Sequence, residues 1–119
     1  MRLSSITALL AALAATTTSA DRMTVNTQCP CNICGSCDSR DATFFTDSGA
    51  YKVNANKGCR STSVPKMTEF CVDWGKGRAH FRYSGQANKR CLLMRSQTAY
   101  GCNADHCHRT EWEPATCSW

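Results

Sequence analysis

The chain has 119 residues, with 14 basic and 9 acidic side chains and ten cysteines. This length suits one domain, and no segment is apolar over the roughly 20 residues that a membrane-spanning helix needs, which argues against several domains and against such a helix. All ten cysteines lie after residue 20, at about one residue in ten. That density favours a disulfide scaffold over a reduced intracellular protein.

The first twenty residues, MRLSSITALLAALAATTTSA, have the pattern of a secretory signal peptide. Arg2 supplies a basic start, residues 6–15 are apolar, and small residues end the segment at Ala20. The apolar run is too short to span a hydrocarbon core of ~30 Å. We therefore expect cleavage after Ala20, secretion to the extracellular space, and a single cystine-rich β domain over residues 21–119.

The segment CPCNICGSC, residues 29–37, has four cysteines whose spacing allows three interpretations. Overlapping Cys-x-x-Cys steps suit tetrahedral zinc, with His106 and His108 beside Cys107 as further ligands. The pair Cys34 and Cys37 has the spacing of a redox-active dithiol. An oxidising compartment favours disulfides over zinc, and no βαβ pattern surrounds the redox-like pair. We therefore predict structural disulfides, with no metal and no cofactor.

An even number of cysteines predicts about five disulfides and no free thiol. Because cysteines in a tight cluster tend to point in different directions, we expect the four cluster cysteines to pair mostly with the six distal ones. The N-terminal cluster would then wrap over the rest of the domain, with the individual pairs left open. The ten cysteines are Cys29, Cys31, Cys34, Cys37, Cys59, Cys71, Cys91, Cys102, Cys107 and Cys117.

Alternation of apolar and polar residues predicts strands, and no window has helical periodicity. The segments ATFF and AYKV flank turn residues at 46–49, so residues 42–53 predict a β-hairpin. Loops are expected at 54–58, NANKG, and at 61–65, STSVP.

A second hairpin is predicted over residues 69–83, EFCVDWGKGRAHFRY. A turn at 75–78 pairs Trp74 with Ala79 and places Asp73 opposite His80 on the other face. One face of this hairpin is then apolar and belongs in the core. Its members are Phe70, Val72, Trp74, Ala79, Phe81 and Tyr83.

The remaining segments predict a third strand at 89–95, a short strand at 97–100, and an extended tail at 109–119 that Cys117 fixes in place. Together these elements predict a small, disulfide-rich, mainly β fold. Its core would be an antiparallel sheet or open barrel stapled by about five disulfides.

Positive charge is concentrated in residues 74–104, which contain six basic and no acidic side chains. Such a segment can attract anionic membranes, polysaccharides or nucleic acid, although a solvated basic face without a partner has the same composition. We take this segment as the candidate binding face. Its basic residues are Lys76, Arg78, Arg82, Lys89, Arg90 and Arg95.

One group of side chains has the residue types of an acid–base catalyst. Asp73, His80 and Arg82 would share a face, with Glu69 near one end, and a secreted ribonuclease needs a base, an acid and a phosphate-binding cation. A cross-strand ion pair explains the same residues without catalysis. No Gly-x-Ser-x-Gly sequence occurs, so we expect a protein that is not an enzyme, with a small secreted ribonuclease as an alternative.

The segment FCVDWGKGRAHFRYSG, followed by KRCL and the later cysteines, resembles the small secreted cysteine-rich proteins of filamentous fungi. The resemblance implies a non-enzymatic, effector-like protein that binds a host or competitor target through the basic face. The alternative that it implies is an antimicrobial or killer-type toxin acting on anionic membranes or cell walls. The expected partner is a surface protein, anionic lipid or polysaccharide, and the expected state is a monomer.

Overall fold

The computed structural model describes residues 21–30, 37–102 and 105–119. The predicted signal peptide, Cys31 and Cys34 lie outside the described residues. Within those ranges no helix is long and apolar enough to cross a membrane. The strands are β1 Arg22–Cys29, β2 Asp38–Thr46, β3 Gly49–Val53, β4 Gly58–Arg60, β5 Met67–Asp73, β6 Arg78–Tyr83, β7 Arg90–Cys102 and β8 Asp105–Ala115. This confirms the prediction of a mainly β fold.

All eight strands form one antiparallel sheet in the order β3-β2-β1-β8-β7-β6-β5-β4. The sheet curls into a half-barrel, so that β2 packs against β5 and β6 across its concave side. Phe44 on β2 makes edge-to-face contacts with Phe81, at 5.0 Å between ring centroids, and with Phe70, at 6.1 Å. The two ends of the sheet therefore share one core, as the open-barrel prediction required.

The core lies on the concave side because alternate residues of each strand point there. Trp112 on β8 is fully buried, and its indole N–H donates to Thr110 Oγ1 over 2.8 Å. Its ring lies edge-to-face with that of Trp74, at 5.0 Å. The largest fully buried side chains are Trp112, Phe44, Phe70, Phe81, Met23, Leu92, Val25 and Thr110.

Two segments that were not predicted as central strands form the middle of the sheet. β1 lies between β2 and β8, so residues 22–29, for which no strand was predicted, form an internal strand. β8 lies between β1 and β7, so most of the segment expected as an extended tail from residue 109 belongs to an internal strand. Strand partners this distant in sequence leave no local pattern, which explains why the central position of both strands was missed.

Both predicted hairpins form, and the first has the predicted position. β2 and β3 meet at Thr46 and Gly49 across a two-residue turn. In the second, β5 and β6 pair two residues away from the predicted register, with Asp73 opposite Arg78. The cause is a 3₁₀ turn at Trp74–Lys76, which begins at the Asp73 side chain and ends at a left-handed Gly77.

The predicted cysteine pairing is wrong. Four disulfides join described residues: Cys29–Cys37, Cys59–Cys71, Cys91–Cys117 and Cys102–Cys107. All six distal cysteines therefore pair with one another and not with the cluster. Strand pairing explains this, because Cys59 and Cys71 are direct register partners and Cys102 and Cys107 close the β7–β8 hairpin.

The curl of the sheet gives a first prediction. Phe44→Ala should lower the free energy of unfolding by about 3–5 kcal/mol, because it leaves a cavity between the two ends of the sheet. Phe45, the next residue, points to the opposite face, where the Arg22 guanidinium lies 4.0 Å from its ring centroid. Phe45→Ala should cost only about 1 kcal/mol. Urea unfolding of both variants provides the measurement, and equal losses would contradict a core closed by Phe44.

Candidate functional site

The convex side of β5 and β6 carries a row of ionisable side chains. The register places Asp73 opposite Arg78, Cys71 opposite His80, and Glu69 opposite Arg82. Members of each pair lie on the same face because antiparallel partners point the same way. The two-residue shift in register thus gives His80 a different neighbourhood from the one predicted, with Asp73 facing Arg78 instead.

Glu69 lies at the centre of this row. Its Oε1 is 3.6 Å from His80 Nε2 and 3.7 Å from Arg82 Nε. Arg82 also donates to the carbonyl oxygen of Ala87 over 3.2 Å, which fixes its guanidinium near the start of β7. These ion pairs are partly exposed, so each stabilises the fold by at most about 1 kcal/mol. Their main effect is to hold the side chains in position.

The C-terminal tail, residues 116–119, crosses the convex side of β7 and β6. The Cys91–Cys117 disulfide fixes it there, and Cys91 is buried although it lies on the same face as its partner His80. The tail ends with the Trp119 ring against Arg78, whose guanidinium carbon is 4.9 Å from the ring centroid. An aromatic surface thus lies beside the ionisable row.

Trp119 contributes to two clefts. The larger has a volume of about 890 Å³ and is lined by Arg82, Lys89 and the tail, among others. The smaller has a volume of about 470 Å³ and is lined by Arg78, His80 and the Cys59–Cys71 disulfide, among others. We call the two clefts together the outer groove.

The basic residues of the predicted binding face do not all lie together in the structure. Arg78, Arg82 and Lys89 line the outer groove. Lys76 is exposed in the 3₁₀ turn, and Arg95 is exposed at the point where the pairing of β7 with β8 is irregular. Neither residue lines the outer groove.

Arg90, the sixth predicted residue, also lines the larger cleft, and its acidic partner lies closer than those of Arg78 and Arg82, whose ion pairs measure 3.9 and 3.7 Å. Its guanidinium makes an ion pair of 3.0 Å with the buried Asp21 carboxylate and lies 5.7 Å from the Tyr83 ring centroid. Sequence reasoning missed Trp119 as a groove residue. The path of the tail depends on the Cys91–Cys117 pairing, which the sequence left open.

The spacings that suggested zinc or redox chemistry belong to oxidised cysteines wherever the structure describes them. Cys37 is bonded to Cys29, so it does not form a dithiol with Cys34. Cys107 is bonded to Cys102, which leaves His106 and His108 without a neighbouring thiolate. These described sulfur atoms are therefore structural.

Burial lowers the pKa of His80 below its ordinary value of 6.5. Lys89 and Arg82 lower the pKa further, whereas Glu69 acts in the opposite direction. His80 is therefore neutral at pH 7 and can both donate and accept a hydrogen bond. Since the unfolded chain takes up the proton first as the pH falls through about 6.5, acidification below that pH removes stability.

No protein-family model matches the chain, and neither a curated protein nor a solved structure is significantly similar to it. The site is thus defined by the geometry of the outer groove itself.

The charges around His80 give a second prediction. In an NMR titration its imidazole should have a pKa below 6.5, and Lys89→Gln should raise that pKa because it removes a positive charge. Glu69→Gln should lower it further. Lys52→Gln, a control on β3, should leave it unchanged. A wild-type pKa above 6.5 would contradict the described environment of His80.

Proposed function

We propose that the protein acts outside the cell as an effector-like binding protein, without catalysing a reaction, and that the outer groove binds an anionic ligand. The observation that supports this most is the placement of Arg78, Arg82 and Lys89 around Trp119. Arginine guanidinium groups bind carboxylate, sulfate and phosphate with paired hydrogen bonds. The signal-like first twenty residues and the disulfides agree with an extracellular location.

The composition of the surface favours an anionic polysaccharide over a membrane as the ligand. Binding to a bilayer normally requires exposed apolar side chains that enter the lipid. Among the described residues the large exposed hydrophobic side chain is Tyr100, which lies on the β7–β8 hairpin and not in the outer groove. The two clefts are lined by five basic residues against the acidic Asp21 and Asp73, and this excess of positive charge around the Trp119 ring instead suits a chain of acidic sugars at a host or competitor surface.

Binding to an acidic polysaccharide should depend on individual groove cations. Arg82→Gln and Lys89→Gln should each weaken binding about fivefold at low salt, since one surface cation contributes about 1 kcal/mol. The affinity of the wild type should fall as salt is added, and each variant should have a shallower salt dependence. Calorimetric titration with polygalacturonate, and with neutral dextran as the inactive polymer, measures both effects.

Arg40→Gln is the matched control, since it removes one positive charge from β2, which three strands separate from β6. Its affinity should stay close to that of the wild type. Equal losses in Arg40→Gln and Arg82→Gln would show attraction by net charge alone and would contradict a groove site. Strong binding to anionic vesicles with leakage, and none to the polysaccharide, would favour the antimicrobial alternative.

A second candidate function, ribonuclease activity, is favoured by the position of Glu69 between His80 and Arg82. The Glu69 carboxylate would take the proton of a ribose 2′-hydroxyl as it attacks the neighbouring phosphorus atom. His80 would give a proton to the departing 5′-oxygen in its protonated form, which its lowered pKa confines to acidic pH, and Arg82 would bind the phosphate. Asp73, which the sequence suggested as the partner of His80, pairs with Arg78 and would have no part in this reaction.

Incubation of the purified protein with RNA tests this candidate. If it is a ribonuclease, Glu69→Gln and His80→Asn should each lower the rate at least about a hundredfold, while Asp73→Asn should have little effect. Intact RNA after incubation with the wild type would eliminate the ribonuclease and leave the binding proposal unaffected.

A further inference from the structure

A separate pocket opens on the concave side, where β1, β2, β7 and β8 extend beyond the aromatic core. Its volume is about 260 Å³. Most of its lining residues have polar side chains, although the surface that they present to the pocket is mainly apolar, and none of them is acidic. We call it the polar pocket, and the lining residues used below are Thr27, Ser39, Trp74, Gln97, His108 and Thr110.

Three hydroxyl groups lie at positions where the strand pattern calls for apolar side chains. Thr27 continues the buried series Met23 and Val25 along β1, and Val25 pairs with Thr110 on β8. Thr27 and Ser39 are each 4% exposed and Thr110 is 1% exposed. Hydroxyl groups buried in this way destabilise a protein unless they form hydrogen bonds, so their presence at three adjoining positions needs a reason.

The hydrogen bonds of these hydroxyls are incomplete among the described residues. Thr27 Oγ1 and Ser39 Oγ lie 2.9 Å apart and share one proton, while Thr110 Oγ1 accepts from the Trp112 indole. Each hydroxyl can also donate one proton. Contacts between described residues use one of the three protons, so two donors remain for a molecule in the pocket.

Trp74 provides the aromatic wall. Its indole N–H donates to the carbonyl oxygen of Ala55 over 2.8 Å, and the Trp112 ring holds it from one side. Because its polar atom already has a partner, Trp74 offers the pocket its ring surface. Gln97 is exposed at the edge of the pocket and His108 is half-buried, so an amide and an imidazole complete the polar side.

We propose that the polar pocket binds a single sugar ring, the terminal hexose of a neutral glycan. A hexose has an apolar C–H face that can lie on the Trp74 ring and a rim of hydroxyls that can accept from Thr110 and from whichever of Thr27 and Ser39 does not donate to the other. The volume lies just below the ~300 Å³ at which pockets for drug-sized ligands begin, which limits the ligand to about one ring. A divalent cation would need carboxylate ligands, and the lining residues supply none.

An NMR titration of the ¹⁵N-labelled protein with glucose, galactose and oligomers of N-acetylglucosamine tests the proposal. We expect one of these sugars to shift the Trp74 indole and Gln97 amide signals until they saturate, with a dissociation constant in the millimolar range. Gln97→Ala should weaken this binding about two- to tenfold, which corresponds to one hydrogen bond. Thr98→Ala is the matched control, because Thr98 follows Gln97 on β7 but lies on the convex face, and it should bind like the wild type.

Three results would overturn the proposal. The first is the absence of a saturable shift with all of these sugars, which would show a pocket filled by water only. The second is saturable binding of a nucleoside, with none of the sugars, at the same signals. The third is equal weakening in Gln97→Ala and Thr98→Ala, which would place the sugar elsewhere. Since no groove cation takes part, the result does not depend on whether the outer groove binds an anion.

Discussion

The contact of Phe44 with Phe70 and Phe81 is the interaction on which the architecture depends. β1, β8, β7 and β6 separate β2 from β5 in the sheet, yet these rings meet at 5.0 and 6.1 Å. A flat sheet cannot bring them together, so burial of this aromatic cluster requires the curl. Because the concave side then takes the apolar side chains, the charged residues of β5 and β6 are left on the convex side.

A single curled sheet has no second layer to cover its convex side, and the described structure covers part of it with its own C-terminal tail. The Cys91–Cys117 disulfide fixes the tail across β7 and β6, and Trp119 thereby reaches Arg78. The same bridge closes a loop between residues 26 positions apart, so it also restricts the unfolded chain of a domain with a modest core. One covalent bond thus contributes both to stability and to the shape of the outer groove.

Local patterns in the sequence predicted those parts of the fold that depend on residues close together along the chain. Period-two alternation predicts the hairpin at residues 42–53 and the buried face of residues 69–83. It does not predict the register of the second hairpin, because a shift of two residues leaves every side chain on the same face. That shift is why Glu69, and not Asp73, lies beside His80. The central positions of β1 and β8 in the sheet and the cysteine pairs could not be predicted in this way, because they depend on residues far away in the sequence. The sequence did contain one indication of the polar pocket, since Thr27 is polar although it lies at a position on β1 where the alternation calls for an apolar side chain.

We propose that this protein binds its ligand at the convex surface around Trp119. The most direct test is to map the backbone and indole NMR signals that change when a short acidic oligosaccharide is added at low salt. We expect the largest changes at Arg78, Arg82, Lys89 and the Trp119 indole, and we expect them to disappear together as salt is added. Changes concentrated on β1 and β2, or the absence of any change, would contradict it.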